Sequence, residues 1–435
     1  MNAVWSTSFS SASPGVWSVF RGLLLGFFAL LLLDVRVVCD QSALLLHRKK
    51  EKVNHTSAMA STSNTAFALE LLRTLSQDKP TGNVFVSPLS ISSALAMVYL
   101  GAKGTTATQM AQALSFRQGE GVHADFQTLN SQINGPATSY ILKLANRLYG
   151  ENTYNFLSEF LESTQKFYQA DLKSVDFMGA PEESRAEINS WVEEQTENKI
   201  KDLLKSGTVS TMTRLALVNA IYFKGNWMNK FDATNTKEMP FHVDGSEKKT
   251  VQMMYQMKKL PFNYIPEHGL QILGLPYVDE DLSMYILLPE DTAAGTQGVR
   301  KIESILTQAN LDEWTDPAMM ESVDVHVHLP KFKLEEDYEL NEPLAKMGMV
   351  DVFCSAKADL SGMNGEGGLF LSTVAHKAFV EVNEEGTEAA AATAGMVAFC
   401  MFREEHFTAD HPFLFLIRHK ATNSVLFLGR FMTPQ

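Results

Sequence analysis

The stretch Glu384-Glu385-Gly386-Thr387-Glu388-Ala389-Ala390-Ala391-Ala392-Thr393-Ala394-Gly395 is made of small residues after its opening Glu pair, carries only Glu388 as a charge from Gly386 onward, and is free of Pro and Asn. As a helix it would be a short Ala-rich piece between two glycines with no apolar stripe to dock, marginal in water despite the helix preference of Ala. Read with period two, Thr387, Ala389, Ala391, Thr393 and Gly395 form one small uncharged face suited to burial. Glu388, Ala390, Ala392 and Ala394 form the other, where the single charge meets solvent. That pattern suits a conditional strand, one that is a loop in one state and fits between strands in another.

The flanks of this stretch are regular. Leu369–Val382 before it is strand-like. Beyond it, Phe413–Ile417, the turn Ala421-Thr422-Asn423 and Val425–Phe431 read as a hairpin that is apolar on both faces and belongs deep in a core. The residues between, roughly Asn383–Asp410, fit neither a helix nor a strand. Toward the N-terminus the pattern is helical from about Asn64, with Phe67, Leu71, Leu72 and Leu75 on one face until Lys79-Pro80-Thr81-Gly82 breaks it. In Ser87-Pro88-Leu89-Ser90-Ile91, Ser87 caps a second helix, Pro88 takes its first position and Gly101 ends it. Helical segments are expected at about Tyr154–Tyr168, Pro181–Leu204, Val299–Ala309 and Leu340–Met347, and strands at Leu215–Phe223, Leu282–Leu288 and Val323–Leu329. Because the two kinds do not alternate regularly, the fold class expected is α+β with large mixed or antiparallel sheets.

With 37 basic against 50 acidic residues in 435, the chain carries −13 and is a poor nucleic-acid binder. Its 45% hydrophobic content is ordinary for a globular protein. Only Cys39, Cys354 and Cys400 occur, so packing must supply the stability that disulfides supply elsewhere.

Residues 1–58 form a separate N-terminal extension with six basic and three acidic side chains, a net of +3 that leaves −16 on the remaining 377 residues. Its apolar run Gly22–Leu33, preceded by Arg21, is shorter than the roughly 20 residues of a membrane span but long enough for a signal-peptide core, with Val37-Val38-Cys39 as a candidate cleavage site. A stable membrane span is not expected. The one glycosylation sequon, Asn54-His55-Thr56, lies in this extension, and its absence from the body is what a cytoplasmic protein shows. The basic run His47–Lys52 reads as solvated linker.

Enzyme signatures are missing. There is no nucleophile elbow, phosphate loop or zincin motif, and the glycines of 362–368 lack dinucleotide spacing. His326 and His328 share one strand face and invite a metal, but a polar strand face is the better reading and no metal site is expected. Cys400 with His406 and His411 lacks a third orienting group.

From Ser61 to Gln435 the chain resembles the serpin family. The similarity is carried by the 384–395 stretch together with Asn83-Val84-Phe85-Val86-Ser87-Pro88-Leu89-Ser90, Leu217-Val218-Asn219-Ala220-Ile221-Tyr222-Phe223-Lys224-Gly225-Asn226-Trp227, Val374-Ala375-His376-Lys377-Ala378 and Asp410-His411-Pro412-Phe413-Leu414-Phe415. Within the family it is most similar to the ovalbumin-like branch, that of the leukocyte elastase inhibitors, whose chains begin near what is Met59 here. The resemblance implies a serpin domain over 59–435, with about nine helices around three β-sheets and an exposed reactive-centre loop at about 384–408. It implies no enzyme and no cofactor, but a monomeric suicide-substrate inhibitor forming a 1:1 covalent complex with elastase- or chymotrypsin-like serine proteases. A papain-like cysteine protease also stays open as a target.

By the family's spacing the reactive bond is Cys400–Met401. Val397, Ala398 and Phe399 on one side and Phe402 on the other would tune protease choice, with Phe399 or Phe402 in a shifted register suiting chymotrypsin-like pockets, and Arg403 ranks behind them. Cys400 is also a candidate for oxidative control. The implied hinge is Glu384, Glu385, Gly386, Thr387, Glu388, Ala389, Ala390, Ala391, Ala392 and Thr393. The implied sheet-opening region holds Ser87, Ser90, Asn219 and His376 as a polar cluster, Trp227 where insertion begins, and Lys331 paired with Glu384. The alternative function is a non-inhibitory serpin acting as carrier, chaperone or storage protein, disfavoured because such members place bulky, charged or Pro residues where this chain has Thr387 and Ala389–Ala392. Localisation is expected to be extracellular if the signal-like N-terminus is used, and otherwise cytoplasmic as in the branch it resembles.

Overall fold

The computed structural model describes residues 58–116, 121–133, 140–244, 247–290, 295–385 and 403–434, and residues 57–435 form one compact unit. In chain order the strands are β1 (Val84–Val86), β2 (Tyr140–Glu151), β3 (Leu172–Val175), β4 (Leu215–Gly225), β5 (Lys237–Asp244), β6 (Glu247–Ile265), β7 (Leu270–Pro276), β8 (Leu282–Pro289), β9 (Glu321–Pro330), β10 (Phe332–Glu339), β11 (Leu371–Val382), β12 (Glu404–Thr408), β13 (Phe413–His419) and β14 (Ser424–Phe431). The helices are α1 (58–78), α2 (Pro88–Gly101), α3 (Gly104–Ala113), α4 (Val122–Ile133), α5 (Ser158–Tyr168), α6 (Pro181–Gln195), α7 (Thr296–Ile305), α8 (Gln308–Trp314), α9 (Asn341–Lys346) and α10 (Ser361–Asn364). The fold is α+β, with ten helices among the described residues. One five-stranded sheet has the order β10-β11-β4-β2-β3. The other nine strands share one hydrogen-bonded path because the 19-residue β6 pairs with β9 over Met253–Phe262 and with β7 over Phe262–Ile265. That strand joins a β5-β6-β9-β12 sheet to a β6-β7-β8-β13-β14-β1 sheet, which makes three sheets in all.

The central strands β4 and β11 of the five-stranded sheet are buried on both faces, as the near-continuous apolar sequence of β4 requires. Leu215, Leu217, Ile221 and Phe223 face the main core. Ala216, Val218, Ala220 and Tyr222 face a second core built with Ile188 and Val192 of α6. At its centre β11 and β4 run parallel, nine register pairs from Leu371–Leu215 to Val380–Phe223, whereas β10–β11 and β2–β4 are antiparallel. A chain that left the end of β11 and turned back would lie antiparallel to both β11 and β4, replacing one slanted parallel ladder by two antiparallel ones.

Several boundaries differ from the sequence reading. The helix expected over Pro181–Leu204 stops at Gln195, because Glu197 and Asn198 adopt positive φ and Asn189 on α6 accepts from the Leu204 amide, turning the chain back along the helix. The segment that fitted neither pattern contains β12, a parallel edge strand with Phe407 as its one buried side chain, so no apolar alternation marks it. The hairpin β13–β14 is buried along its whole length.

Candidate functional site

The second helix begins as its residues demand. Ser87 caps α2, accepting from the Ser90 amide at 3.4 Å, with Pro88 at the first helical position. The Ser87 hydroxyl donates to the Leu426 carbonyl of β14 at 2.7 Å, which seats the helix start under the hairpin. The Ser87 amide then points at His376 Nε2, 3.2 Å away.

His376 on β11 and Asn219 on β4 are register partners in the central parallel pair, and their side chains meet at 2.6 Å. Since Nε2 accepts from the Ser87 amide, the proton sits on Nδ1 and is donated to Asn219 Oδ1. The Asn219 amide nitrogen donates in turn to the Ser90 hydroxyl. The imidazole is wholly buried, and desolvation pushes its pKa down to about 3, so it is neutral with both nitrogens satisfied. Tyr338 of β10 packs on its other side, rings 19° from parallel, and takes the Phe85 amide on its hydroxyl at 3.2 Å. The result is a closed polar network that bridges β4, β11, α2 and β14 at the middle of the one central strand pair an inserted strand would have to part.

A second cluster lies at the end of the same pair. Past β11, Asn383, Glu384 and Glu385 are held by the segment that follows β4. The Trp227 indole donates to the Asn383 carbonyl at 2.9 Å, its backbone amide to the Glu385 carbonyl at 3.3 Å, and the Phe231 amide to the Glu384 carbonyl at 2.9 Å. Trp227 is itself fixed by stacking on Tyr277, centroids 4.6 Å apart. The Glu384 carboxylate takes the Thr236 hydroxyl on one oxygen and the Lys331 ammonium on the other, both at 2.8 Å. Partial burial alone would raise this carboxyl, but the Lys331 and Thr236 contacts outweigh it and hold the group below the usual carboxylate range. Residues 383–385 are thus clamped where β11 and β4 end.

Ser87, Ser90, Asn219 and His376 therefore form one cluster, and Trp227, Lys331, Glu384 and Glu385 a second. Gly386, Thr387, Glu388, Ala389, Ala390, Ala391, Ala392, Thr393, Val397, Ala398, Phe399, Cys400, Met401 and Phe402 lie outside the described residues. The sequence reading missed Tyr338, Phe231, Thr236, Asn383 and the Leu426 carbonyl. Backbone groups carry part of these contacts, and no local pattern reveals a backbone partner far along the chain. Among the described residues no three His, Cys, Asp or Glu side chains gather to hold a metal. His406 and His411, considered with Cys400, have separate partners: His406 stacks on His326, and His411 is buried against the Pro289 carbonyl. No helix among the described residues is long and apolar enough to cross a membrane.

The model of the serpin (serine protease inhibitor) family matches residues 62–434. The chain is 57% identical over 375 residues to the leukocyte elastase inhibitor of Homo sapiens and 56% identical to that of Xenopus laevis, in each case across 86% of this chain and 99% of the relative. Among solved structures it is similar to uncleaved ovalbumin, with TM-score 0.78 and 37% identity over 86% of this chain and all of that one. It is also similar to maspin, with TM-score 0.82 and 35% identity over 87% of this chain and all of that one. A fold with three sheets, a polar network across the central parallel pair and a clamped strand exit, matched along nearly its full length, places this chain in the serpin family.

Proposed function

We propose that this chain is a suicide-substrate inhibitor of elastase- and chymotrypsin-like serine proteases, with residues 59–435 as the inhibitor domain and 1–58 as a separate extension. The observation that carries the reading is the parallel β11–β4 pair, closed by the Asn219–His376 bond, with the chain leaving β11 clamped at its end. The protease serine oxygen attacks the Cys400 carbonyl, the bond to the Met401 nitrogen breaks, and that nitrogen leaves as a new amino terminus carrying the proton. The acyl ester on Cys400 remains. Freed at that end, Glu384–Thr393 turns back between β11 and β4 with Thr387, Ala389, Ala391 and Thr393 on the buried face, drawing the acylated protease with it. About ten residues gaining ladder bonds worth about 1 kcal/mol each would release on the order of 10 kcal/mol, comparable to the stability of a domain. Displacing catalytic groups by ~1 Å can cost ~100-fold in rate, so the distorted protease does not hydrolyse its ester.

On this reading the chain works as a monomer in a 1:1 complex and is consumed rather than turning over as an enzyme. Val397, Ala398, Phe399 and Phe402 meet the protease pockets. Site of action follows residues 1–58: extracellular if they serve as a signal, cytoplasmic otherwise. The non-inhibitory alternative is disfavoured by Thr387 and Ala389–Ala392, where such members carry bulky, charged or Pro residues.

The test is to mix the full chain with a neutrophil-type elastase and, separately, with chymotrypsin. A denaturant-stable band of summed mass and a released fragment starting at Met401 are expected. Cleavage with no such band for either protease would overturn the inhibitor reading for that class of enzyme.

A further inference from the structure

Three imidazoles gather on one face of the sheet that carries β12, away from both clusters described above. In the parallel register of β12 on β9, His406 stands directly opposite His326. Their rings are stacked, centroids 4.7 Å apart and planes 12° from parallel. His328, two residues on, lies on the same face and packs against Tyr255 of β6, whose hydroxyl meets His326 Nδ1 at 2.9 Å. The His328 Nδ1 atom is buried without a partner. Burial, then the charges of the two neighbouring imidazoles, push the His328 pKa down. The other charged groups on this face are Asp324 of β9, Glu404 of β12, Lys259 of β6 and Lys237 of β5, as the strand registers place them. Glu404 lies 3.3 Å from His326 Nε2, and Asp410 acts on His328 from just past β12.

The strand that bears His406 is the shortest member of the β5-β6-β9-β12 sheet. It is five residues long, lies at the edge and is paired with β9 alone. In the chain it follows directly on residues 386–402. Neutral imidazoles can stack at this distance without penalty. Once both carry a proton, two like charges sit within ~5 Å of each other, and Glu404 can offset only one of them. Parting of β12 from β9 relieves the repulsion, and Phe407 is the one buried side chain of the strand that it uncovers.

We propose that the stacked His326–His406 pair is a pH-sensitive fastening that holds β12 on β9 at neutral pH and releases it on acidification. Its consequence rests on the inhibitor reading: a 386–402 segment loosened at its C-terminal end is no longer presented to a protease.

The test is hydrogen exchange of the full chain at about pH 7.5 and about pH 5.5, corrected for intrinsic rates and followed at amides 404–408. Like-charge repulsion at the stacking distance predicts a fall in protection on the order of tenfold on acidification, and in His406→Gln the fall should be less than about twofold. Unchanged protection in the natural chain, or an equal fall in His406→Gln and His326→Gln, would overturn the proposal. Amides of a short edge strand exchange through local opening, so the change in global stability that His376 brings is not read at these positions. In parallel, inhibition of chymotrypsin is measured after incubation at each pH, and the natural chain should lose inhibition at the lower pH while His406→Gln keeps it. If the chain inhibits at neither pH, the functional reading fails while exchange at 404–408 still decides the fastening.

Discussion

Acid should also loosen this molecule at the bond between His376 and Asn219. His376 has a folded-state pKa of about 3 against 6.5 in the unfolded chain. As pH falls below 6.5 the unfolded chain takes up a proton that the buried ring refuses. The stability this ring contributes is therefore complete above pH 6.5 and lost progressively as pH falls toward 3, where the folded ring would protonate as well. The gap of about 3.5 pKa units at 1.36 kcal/mol each corresponds to a loss of about 5 kcal/mol in all, or at most about 1.4 kcal/mol per pH unit. That is a large share of the 5–15 kcal/mol typical of a folded domain. Protonation would also turn Nε2 into a donor facing the Ser87 amide, so it breaks the network that closes β11 against β4. The assay is denaturant unfolding at pH 7, 6, 5 and 4 for the natural chain and His376→Gln, a variant that keeps a donor and an acceptor but does not titrate. Carboxylates contribute alike to both, so the difference isolates the imidazole. The natural chain should lose about 1 kcal/mol more per pH unit between pH 6 and 4 than the variant. Parallel pH profiles for the two proteins would refute the reasoning.

Three further outcomes are expected. Lys331→Met removes the cation from a largely buried Glu384 carboxylate; since Lys331 is more than a third exposed, the screened loss is about 1 kcal/mol, seen as a modest fall in Tm and as faster proteolysis near residue 385. Thr387→Arg places a charge on the face that must be buried, costing several kcal/mol during insertion; gels should show cleavage by the protease without a covalent band, and undiminished 1:1 trapping would contradict the insertion pathway. Gly429→Ala on β14 would drive a methyl into the Phe415 ring, which stacks on Phe85; overpacking there should cost about 1–3 kcal/mol in denaturant unfolding and leave the ratio of inhibitor to protease in the trapped complex unchanged.

How much was legible beforehand depended on the range of the interaction. Ser87, Pro88 and Gly101 announce α2 at both ends, and that helix spans Pro88–Gly101, because capping and φ restriction act within a few residues. The apolar run of β4 and the two-sided hairpin β13–β14 announce burial on both faces for the same local reason. By contrast, β12 has a sequence of Glu, Glu, His, Phe and Thr with no alternation to find. The over-long expectation for α6 shows the limit from the other side, since Glu197 and Asn198 end the helix by adopting positive φ where the residues alone allow it to continue.

The sequence by itself determined the class of the molecule, the position of its small-residue segment and the family, since composition, period and motif blocks are properties of contiguous residues. Only the tertiary structure decided which groups meet. His376 and Asn219 stand 157 positions apart and become bonding partners because β11 and β4 run parallel in one particular register. Trp227, Phe231, Thr236 and Lys331 converge on residues 383–385 because the β4 exit and the turn after β9 end beside the end of β11. His326 finds His406 in the same way. Strand register is a collective outcome of burial over whole sheets, so no short stretch of sequence contains it.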